Sequence, residues 1–520
     1  MFLRFTFVIS FIFCVLSVYS DERIPSFALR DSVKRKSFLL DTIGAYHVIV
    51  RSENDFNVKT DSKLVVFELH NNIVVHSPIR FRGIRTYYIK GNGFSVLEPD
   101  IVKPRRSVPY QAKSWSLDKE NKQLTINLKH PIDLKQFKVH DSIYVVYEGW
   151  FLRFKEKMVS LSESCLTFRC GEKFLSNRKF FTLTPFPYFY LEENPENSIN
   201  IRNLLVVTKG TKLLIDNVSF QGFSSSCISN SGVLKVSKCC FSGFEKECIS
   251  SNGELFVEDS KFSDITSYCV LAKPKSYLDI VDSEFKNIGL RGSNSGCVYA
   301  RGNSYIGNNR FIDFNYSAIL LGMRTKNKER HPSAIAENNI IAWTPEWEKQ
   351  MSIYGLTDGG AIYVSTCSRR TIIRNNTILN FGGHRANRAI YCDDGAFNVS
   401  IYGNVISGTR NSYDIDSRDC SKKWKKQERD STPCPNTGNY IGFNVCDGKL
   451  KLEGASAISE NGCVFENNVI VGRNDERKDI VNNNGNVRNA IIYDVQGRID
   501  NNGKVLSKQQ QIKRIEAPTL

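Results

Sequence analysis

The sequence lacks two patterns that would assign it to common classes of protein. Its cysteines show neither the paired Cys-x-x-Cys spacing nor the Cys/His spacing of a zinc site. Beyond the N-terminal segment, no stretch is apolar enough for long enough to cross a bilayer, which takes about 20 apolar residues. These absences argue against a zinc-binding domain and against a membrane-spanning protein, and we expect no metal and no cofactor.

The N-terminus has the pattern of a secretory signal peptide. Arg4 precedes an apolar run from Phe5 to Val18, and Val18 and Ser20 occupy the small-residue positions before a cut ahead of Asp21. The run is shorter than a membrane span, so we expect residues 1–20 to be removed. The mature protein is then predicted to be soluble, secreted and extracellular, in oxidising surroundings.

Basic residues outnumber acidic ones, with a formal net charge of +16 from 70 Lys and Arg against 54 Asp and Glu. In a secreted protein such a surface suits an acidic polysaccharide or an anionic cell surface better than nucleic acid. The basic residues are scattered along the chain, however, and a merely solvated basic surface explains the charge equally well. A glycan is the expected partner, with no nucleic acid and no membrane span.

Internal repeats are the strongest pattern in the sequence. One short motif recurs at steps of 21, 21, 28 and 21 residues in its first five copies, with a small residue followed by an aliphatic one. The small residues are Cys227, Cys248, Cys269, Cys297, Ala318, Ala361, Ala389 and Ala457. The aliphatic residues are Ile228, Ile249, Val270, Val298, Ile319, Ile362, Ile390 and Ile458.

Two further apolar ladders run in phase with this motif. The second comprises Leu234, Leu255, Leu278, Ile306, Ile335, Ile372, Ile401 and Val464. The third comprises Phe220, Phe241, Phe262, Phe285, Phe311, Ile340, Ile378, Val405 and Val469. Asparagines precede the third ladder in the later turns, at Asn309, Asn339, Asn376, Asn404 and Asn468. We expect these asparagines to tolerate unusual backbone angles at the bends and to hydrogen-bond along the stack.

Three short apolar strands per 21–28 residues, separated by Gly, Asn and Ser, describe one coil of a solenoid. A leucine-rich repeat would show its own leucine spacing, and a propeller would need about twice the period. Stacked coils place equivalent residues one strand spacing apart, ~4.8 Å, so like side chains form columns. The predicted fold class is therefore all-β, a right-handed parallel β-helix.

The positions at which the periodic apolar strands begin, stop and resume along the sequence predict the domain organisation. We expect N-terminal β-helix coils over 21–103, a small β-rich insert over 104–198, regular β-helix repeats over 199–472 and a polar C-terminal tail over 473–520. A strand at AIIYDV is possible within that tail. Three long insertions leave the repeats, at 323–332, 344–357 and about 408–440.

Cysteines and glycosylation motifs complete this outline. Of the 15 cysteines, the column that begins at Cys227 is expected to be a stack of buried thiols, because alanine replaces cysteine in later coils. Loop cysteines are better disulfide candidates, with the pairing left open: Cys165, Cys170, Cys420, Cys434 and Cys446. Four Asn-x-Ser/Thr motifs permit N-glycosylation, at Asn217, Asn315, Asn375 and Asn398.

Acidic and aromatic residues concentrate around two consecutive coils. The segment TDGGAIYVS brings Asp358 to the start of one strand, and RAIYCDDG brings Asp393 and Asp394 to the end of the same strand one coil later. Strand alternation points Ile362 and Ile390 inward, so the neighbouring Tyr363 and Tyr391 should face outward in one column. The three aspartates are the candidate catalytic residues.

Further residues could bind a substrate beside these acids. His384 and Arg388 lie in the bend between the two strands, and Trp347 and Tyr354 lie on the insertion just upstream, which follows Trp343. Asp414 and Asp416 in the next coil are weaker candidates. Aromatic faces stack on sugar rings, and paired carboxylates ~5–9.5 Å apart hydrolyse glycosidic bonds. Asp-Gly pairs also form ordinary turns, so a structural role for these acids stays open.

At these residues the chain resembles the right-handed β-helix glycoside hydrolases, a group that includes fucosidase-, xylanase- and xylosidase-type families. Such proteins carry a DGG(A/G)IY stretch followed one coil later by GIYLDDG, which here read DGGAIY (358–363) and AIYCDDG (389–395). The segments YEGWFLRFKEKMVSL and FPYFYLEENPENS resemble a shortened form of the β domain of these proteins. The resemblance implies that Asp358 and the Asp393/Asp394 pair are catalytic acids.

Departures from the pattern keep other functions open. A GEWYLD-like segment is missing after FPYFYLEENPE, and Cys392 replaces the strand leucine. One alternative is a polysaccharide lyase whose aspartates bind Ca²⁺ and whose base is Arg374, Arg385 or Arg388. The other is a non-catalytic surface or adhesion protein. The favoured prediction is a glycoside hydrolase that uses paired aspartates.

Overall fold

Short strands separated by bends make up nearly all of the structure. The computed structural model describes residues 42–97, 110–131, 142–146, 153–171, 188–191, 203–222, 226–244, 246–289, 295–322, 333–354, 358–365, 371–382, 387–393, 396, 399–409, 413–417, 439–446, 448–453, 463–470, 481–482, 487–494 and 497–499. The predicted signal peptide therefore lies outside the described residues. Within the described ranges, no helix is both long and apolar enough to cross a membrane.

The chain before the insert forms six strands and one 3-10 turn, Glu53–Phe56. The strands are β1 (Tyr46–Val50), β2 (Leu64–Leu69), β3 (Ile73–Val74), β4 (Ile79–Phe81), β5 (Thr86–Lys90) and β6 (Ser95–Leu97). The next six strands close into a barrel whose neighbours pair antiparallel. They are β7 (Tyr110–Asp118), β8 (Gln123–Leu128), β9 (Ser142–Val146), β10 (Arg153–Leu161), β11 (Cys165–Arg169) and β12 (Tyr188–Leu191).

The regular coils follow the barrel. Their first strands are β13 (Leu205–Val207), β14 (Lys212–Asp216), β15 (Ser219–Gln221), β16 (Ile228–Asn230), β17 (Val233–Ser237), β18 (Cys240–Ser242), β19 (Ile249–Ser251), β20 (Glu254–Glu258), β21 (Lys261–Ile265), β22 (Val270–Ala272), β23 (Tyr277–Val281), β24 (Glu284–Ile288), β25 (Gly296–Ala300), β26 (Asn303–Gly307), β27 (Arg310–Phe314), β28 (Ser317–Leu321), β29 (Ala334–Glu337) and β30 (Ile340–Ala342). One helix, α1 (Pro345–Tyr354), then interrupts them.

The coils resume after α1 and continue beyond residue 472. Their strands are β31 (Gly360–Ser365), β32 (Thr371–Arg374), β33 (Thr377–Leu379), β34 (Arg388–Asp393), β35 (Val399–Tyr402), β36 (Val405–Ser407), β37 (Tyr413–Ser417), β38 (Tyr440–Gly442), β39 (Val445–Cys446), β40 (Lys449–Glu453), β41 (Cys463–Ile470), β42 (Val481–Asn482), β43 (Val487–Asp494) and β44 (Gly497–Ile499). The segment AIIYDV thus lies within β43, which pairs with β41.

The coil strands form three ladders, which we call sheets one, two and three. Sheet one has 12 strands and runs from β4 through β13 to β42. Sheets two and three, which begin at β1 and β3, are joined in one 26-stranded sheet. Each coil visits sheets one, two and three in turn and pairs parallel with the next coil, as β13, β14 and β15 do with β16, β17 and β18. This is the predicted parallel β-helix, right-handed as such crossovers are.

The predicted columns fill the interior. Ile228, Ile249, Val270, Val298, Ile319, Ile362 and Ile390 pair in register, and Ile415 and Leu450 extend the column. The predicted last members, Ala457 and Ile458, lie outside the described residues. Phenylalanine rings stack face to face from Phe220 to Phe311, with centroids 4.7–4.9 Å apart. Stacked coils therefore produce the columns of like side chains.

Two of the predicted ladders were wrong by one residue in the later coils. In the third ladder Ile341 and Ile406, and not Ile340 and Val405, continue the phenylalanine column. Ile340 is 39% exposed whereas Ile341 is fully buried. The second ladder is also broken earlier, because Leu278 pairs with Ser304 and not with Ile306. The column of Ile306 continues through Ala336 and Ile373 instead of Ile335 and Ile372, and it ends at Phe465 instead of Val464. A shift of one residue reverses the face of a strand, and two aliphatic residues in a row hide that shift from the sequence.

An asparagine ladder runs through six later coils, and its predicted hydrogen bonds along the stack are present. Each side-chain Nδ2 donates to the Oδ1 of the next asparagine at 2.8–3.1 Å, through Asn309, Asn339, Asn376, Asn404, Asn444 and Asn468. The left-handed backbone lies one residue earlier, at positions such as Asn338 and Asn375, and not at the ladder residues themselves. The ladder residues satisfy buried backbone groups instead.

Replacing Asn376 by alanine should lower the free energy of unfolding by about 2–5 kcal/mol, since several buried partners lose their hydrogen bonds. Those partners are the Ala336 carbonyl, the Asn339 backbone N–H and the Asn404 side chain. Denaturant unfolding measures the change. The matched control is Asn375→Gly, because Asn375 is exposed and the equivalent bend in the next coil already uses the left-handed Gly403. A loss no larger than that of the control would contradict the assigned role.

The cysteine column is buried and contains no disulfide, as predicted. Cys227, Cys248, Cys269 and Cys297 are all fully buried thiols. Two of the predicted disulfide candidates, Cys165 and Cys170, form no disulfide within the described residues. The extended strand β11 separates them by five residues at ~3.4 Å each, well beyond the reach of a disulfide. Cys446 is also a buried thiol, and Cys420 and Cys434 lie outside the described residues.

Candidate active site

The candidate site is built on the outer side of sheet one. Tyr363 on β31 pairs with Tyr391 on β34, and Tyr391 pairs with Asp416 on β37. The two tyrosine rings stack at 4.8 Å between centroids and 16° between planes. Their side chains alternate with the inward Ile362 and Ile390, so the predicted outward column is present. It provides the frame for the acidic residues.

Neither tyrosine is open to solvent, which corrects the expectation of an exposed aromatic face. Tyr363 is 5% exposed and Tyr391 is fully buried. The ring of Tyr316 packs against Tyr363 at 5.8 Å, and the guanidinium of Arg388 lies 4.3 Å from the centroid of Tyr391. Alternation along a strand fixes which side chains leave the core, but it does not determine what packs over them.

The two stacked phenols each contact one candidate acid. The Tyr363 hydroxyl donates to Oδ2 of Asp393 at 2.9 Å, and the Tyr391 hydroxyl donates to Oδ1 of Asp358 at 3.1 Å. Asp358, at the entry to β31, has a left-handed backbone with φ of 63°. Asp393 ends β34 in the following coil. The structure thus brings Asp358 and Asp393 into one cluster. Asp394 lies outside the described residues.

The two acids differ in accessibility. The side chain of Asp358 is 33% exposed, whereas Asp393 as a residue is 7% exposed. Asp358 is therefore the described carboxylate through which solvent or a substrate can enter the cluster. The carboxylate of Asp393 is nearly buried and lies beside the phenol of Tyr363.

Arg388 connects Asp358 to the next coil. Its Nε lies 2.9 Å from Oδ2 of Asp416, and its Nη1 lies 3.6 Å from Oδ1 of Asp358. Asp416 is fully buried and Arg388 is 6% exposed, so this cation compensates a carboxylate that water does not reach. Arg388, predicted as a substrate-binding residue, is in the cluster, where it covers the ring of Tyr391 and contacts both aspartates.

Asp414 plays a different role from Asp416. It is fully buried, accepts a hydrogen bond from the Thr409 hydroxyl and accepts another from the Gly448 backbone N–H at 2.7 Å. These contacts fix the loop between neighbouring coils. Asp414 is a structural residue in this arrangement, and Asp416 is the member of the pair that joins the cluster.

Tyr316 is a member of the cluster that the sequence did not single out. It is 5% exposed, just before β28, and packs on Tyr363. Burial raises the pKa of Tyr316 and that of Tyr363 well above the usual value, and nearby acidic groups including Asp358 and Asp393 raise both further. Both phenols therefore stay protonated and can act as hydrogen-bond donors. The only signal in the sequence was an aromatic residue beside a small-residue column.

The other predicted contact residues do not join the cluster within the described structure. The segment predicted as a loop at 344–357 contains α1. Trp347 is 3% exposed and its indole Nε1 donates to the Phe314 carbonyl at 2.8 Å, so it anchors the helix. Trp343 is buried beside Phe314 and Phe381. His384 and the side chain of Tyr354 lie outside the described residues.

Buried tyrosines should make the protein sensitive to alkali. Burial raises the pKa of Tyr299 to about 12, and it raises the pKa of Tyr268, Tyr316 and Tyr363 as well. Unfolded tyrosine ionises near ~10. The folded state therefore keeps protons that the unfolded state releases, so this stabilisation is present below pH ~10 and is lost as the pH rises above it.

We expect the free energy of unfolding to fall as the pH rises above ~10, and to fall less steeply in Tyr316→Phe. Denaturant titrations at a series of pH values would measure this slope. Phenolate absorbance would report the ionisation directly. If all tyrosines of the folded protein titrate together near pH ~10, the predicted burial effect is wrong.

One candidate base of the lyase alternative lies on a different sheet. Arg374, one of its candidate bases, lies on sheet two, where it pairs with Glu337 at 2.5 Å and donates to the Tyr402 hydroxyl at 3.1 Å. It is thus not on the sheet that carries Asp358 and Asp393. The described residues contain no group of three His, Cys, Asp or Glu side chains arranged to hold a metal ion. Arg385 lies outside those residues.

No protein-family model and no curated protein matches this sequence. Among solved structures, a protein titled "Glycoside hydrolase" is similar over 68% of this chain and 87% of its own, at 10% identity and a TM-score of 0.49. XylC, solved in complex with xylose, is similar over 84% of this chain and 86% of its own, at 10% identity and a TM-score of 0.33. The Dettilon tailspike protein is similar over 73% and 61%, at 8% identity and a TM-score of 0.25.

These similarities concern the fold. The strand ladders themselves define the class: the chain is a right-handed parallel β-helix with a small antiparallel barrel inserted after its first coils.

Proposed function

We propose that the protein is a secreted glycoside hydrolase whose catalytic carboxylates are Asp358 and Asp393. The observation that carries this proposal is that neighbouring coils hold the two acids on one side of sheet one. Adjacent stacked phenols hydrogen-bond to both of them. Paired carboxylates are the minimum equipment for hydrolysis of a glycosidic bond.

The surroundings of the two acids divide the roles between them. Each acid accepts a hydrogen bond from a phenol, but Asp358 also lies beside the Arg388 cation, which favours its ionised form. We therefore assign Asp358 as the base or nucleophile, and its exposure lets it meet the sugar. Asp393 is assigned as the proton donor to the leaving oxygen. Tyr363 and Tyr391 become positioning residues that orient the acids.

A library of plant, animal and microbial glycans, acidic polysaccharides included, tests this proposal. The purified protein should release reducing ends from at least one of them. The roles are tested with the Asp393→Asn variant, which should lose about 10²–10⁴-fold in rate on a natural glycan. It should lose much less on an aryl glycoside of the same sugar, whose acidic leaving group departs without a proton. Equal losses on both substrates would overturn the assignment of Asp393.

A second candidate function is glycan binding without turnover. It is favoured by the burial of Tyr363, Tyr391, Arg388 and Asp393. Side chains that are closed to solvent can stabilise sheet one without taking part in a reaction. In that case glycan binding would be measurable while no reducing ends are released. Asp358→Asn would then leave the affinity nearly unchanged.

A further inference from the structure

The four Asn-x-Ser/Thr motifs fall in very different surroundings. Asn217 lies between β14 and β15, and Asn375 lies between β32 and β33, so both occupy the bend from sheet two to sheet three. Both are exposed, and both have left-handed backbone, with φ of 53° and 55°. Neither side-chain amide is hydrogen-bonded to another described residue. The side-chain amides of Asn217 and Asn375 are therefore exposed and available for modification.

Asn315 has the same motif but the opposite surroundings. It is 1% exposed, and its side-chain Nδ2 donates to the Gly289 carbonyl at 2.8 Å. A sugar attached to that nitrogen would have to occupy the packed interior and would remove a buried hydrogen bond. A chain that carries a glycan at Asn315 could therefore not reach this fold. Asn398 lies outside the described residues.

We propose that Asn217 and Asn375 carry N-linked glycans in the secreted protein and that Asn315 does not. The donor is a lipid-diphosphate-linked oligosaccharide. The amide nitrogen of the asparagine forms a bond to the anomeric carbon of that donor, the bond from this carbon to the diphosphate oxygen breaks, and the diphosphate leaves with the electron pair. The amide loses one proton. The proposal includes entry of the chain into a secretory compartment, and it is independent of any hydrolase activity.

The positions of these two sites are compatible with a working sheet one. Glycans at the bend between sheets two and three would cover that edge of the solenoid, which one strand of each coil separates from the sheet-one strands beside Asp358 and Asp393. Left-handed asparagine is also well suited to such a bend, because asparagine adopts that conformation more readily than most residues. Modification there leaves the interior columns untouched.

The test uses variants that keep both asparagines in place. Thr377→Val and Ser219→Ala remove the hydroxyl that the transfer reaction requires, and the neighbours of Thr377 in the sheet are already Ile340 and Val405. Thr377→Ser is the matched control, because it keeps the motif. The full-length chain is secreted from a eukaryotic cell, and enzymatic deglycosylation in heavy-oxygen water marks each occupied asparagine for mass spectrometry.

We expect marking at Asn217 and Asn375, and no marking at Asn315. Each hydroxyl-removing variant should lose the mass of one glycan while its thermal unfolding, measured after deglycosylation, stays the same. Thr377→Ser should keep the glycan at Asn375. Unmarked Asn217 and Asn375 in secreted protein, failure of the chain to be secreted, or a marked Asn315 in folded protein would each overturn the proposal.

Discussion

Asp358→Asn should reduce glycan hydrolysis by about 10²–10⁴-fold, or to background, while the protein stays folded. Asparagine is nearly the same size and adopts the left-handed backbone of this position, where φ is 63°. Its side-chain oxygen can still accept the hydrogen bond from the Tyr391 hydroxyl, which is 3.1 Å long in the structure. What the substitution removes is the negative charge that a base or nucleophile needs.

The control for this variant is Asp264→Asn. Asp264 is also exposed, also has a left-handed backbone, with φ of 54°, and lies on sheet three, away from the cluster. Both substitutions change the charge equally, so a difference between them cannot come from net charge or from backbone strain. The rate of release of reducing ends from the glycan that the wild-type protein cleaves is the measurement. Full activity in Asp358→Asn would end the hydrolase proposal.

The fold could be predicted in detail because a solenoid repeats its own constraints. Each coil places a residue directly above its counterpart, so the columns that begin at Ile228 and Phe220 were visible without any structure. The predicted register was wrong where two aliphatic residues are adjacent, as at Ile340–Ile341, because the sequence pattern fits either residue equally well. Burial decides between them, and burial depends on pairing with the next coil.

The site was predicted less completely, for a related physical reason. Spacing along the chain placed Asp358 and Asp393 one coil apart, and the structure shows them held by two stacked tyrosines. The sequence could not show that Arg388 reaches Asp416, nor that Tyr316 covers Tyr363. Those contacts join residues far apart along the chain through side chains on the outer face of sheet one, where the residue type changes from coil to coil.

Arg388→Leu should be among the most destabilising single substitutions in the repeats, with a loss of about 3–5 kcal/mol. The guanidinium of Arg388 lies 2.9 Å from the fully buried Asp416 and packs over the ring of Tyr391. Leucine fills part of the volume but leaves the Asp416 carboxylate without this counter-charge. Placing an uncompensated charge in a site that excludes water costs far more than the ion pair itself contributes.

A double-substitution cycle tests this cause. If the buried charge is responsible, Asp416→Asn in the Arg388→Leu background should restore a large part of the lost stability, because the amide carries no charge to desolvate. Lys90→Leu is the control, since Lys90 pairs with Glu68 on the exposed side of sheet two and surface pairs contribute little. Thermal and denaturant unfolding are measured for wild type, Arg388→Leu, Asp416→Asn, the double variant and the Lys90→Leu control. If the double variant is no more stable than Arg388→Leu alone, the loss comes from packing on Tyr391 and not from the charge of Asp416.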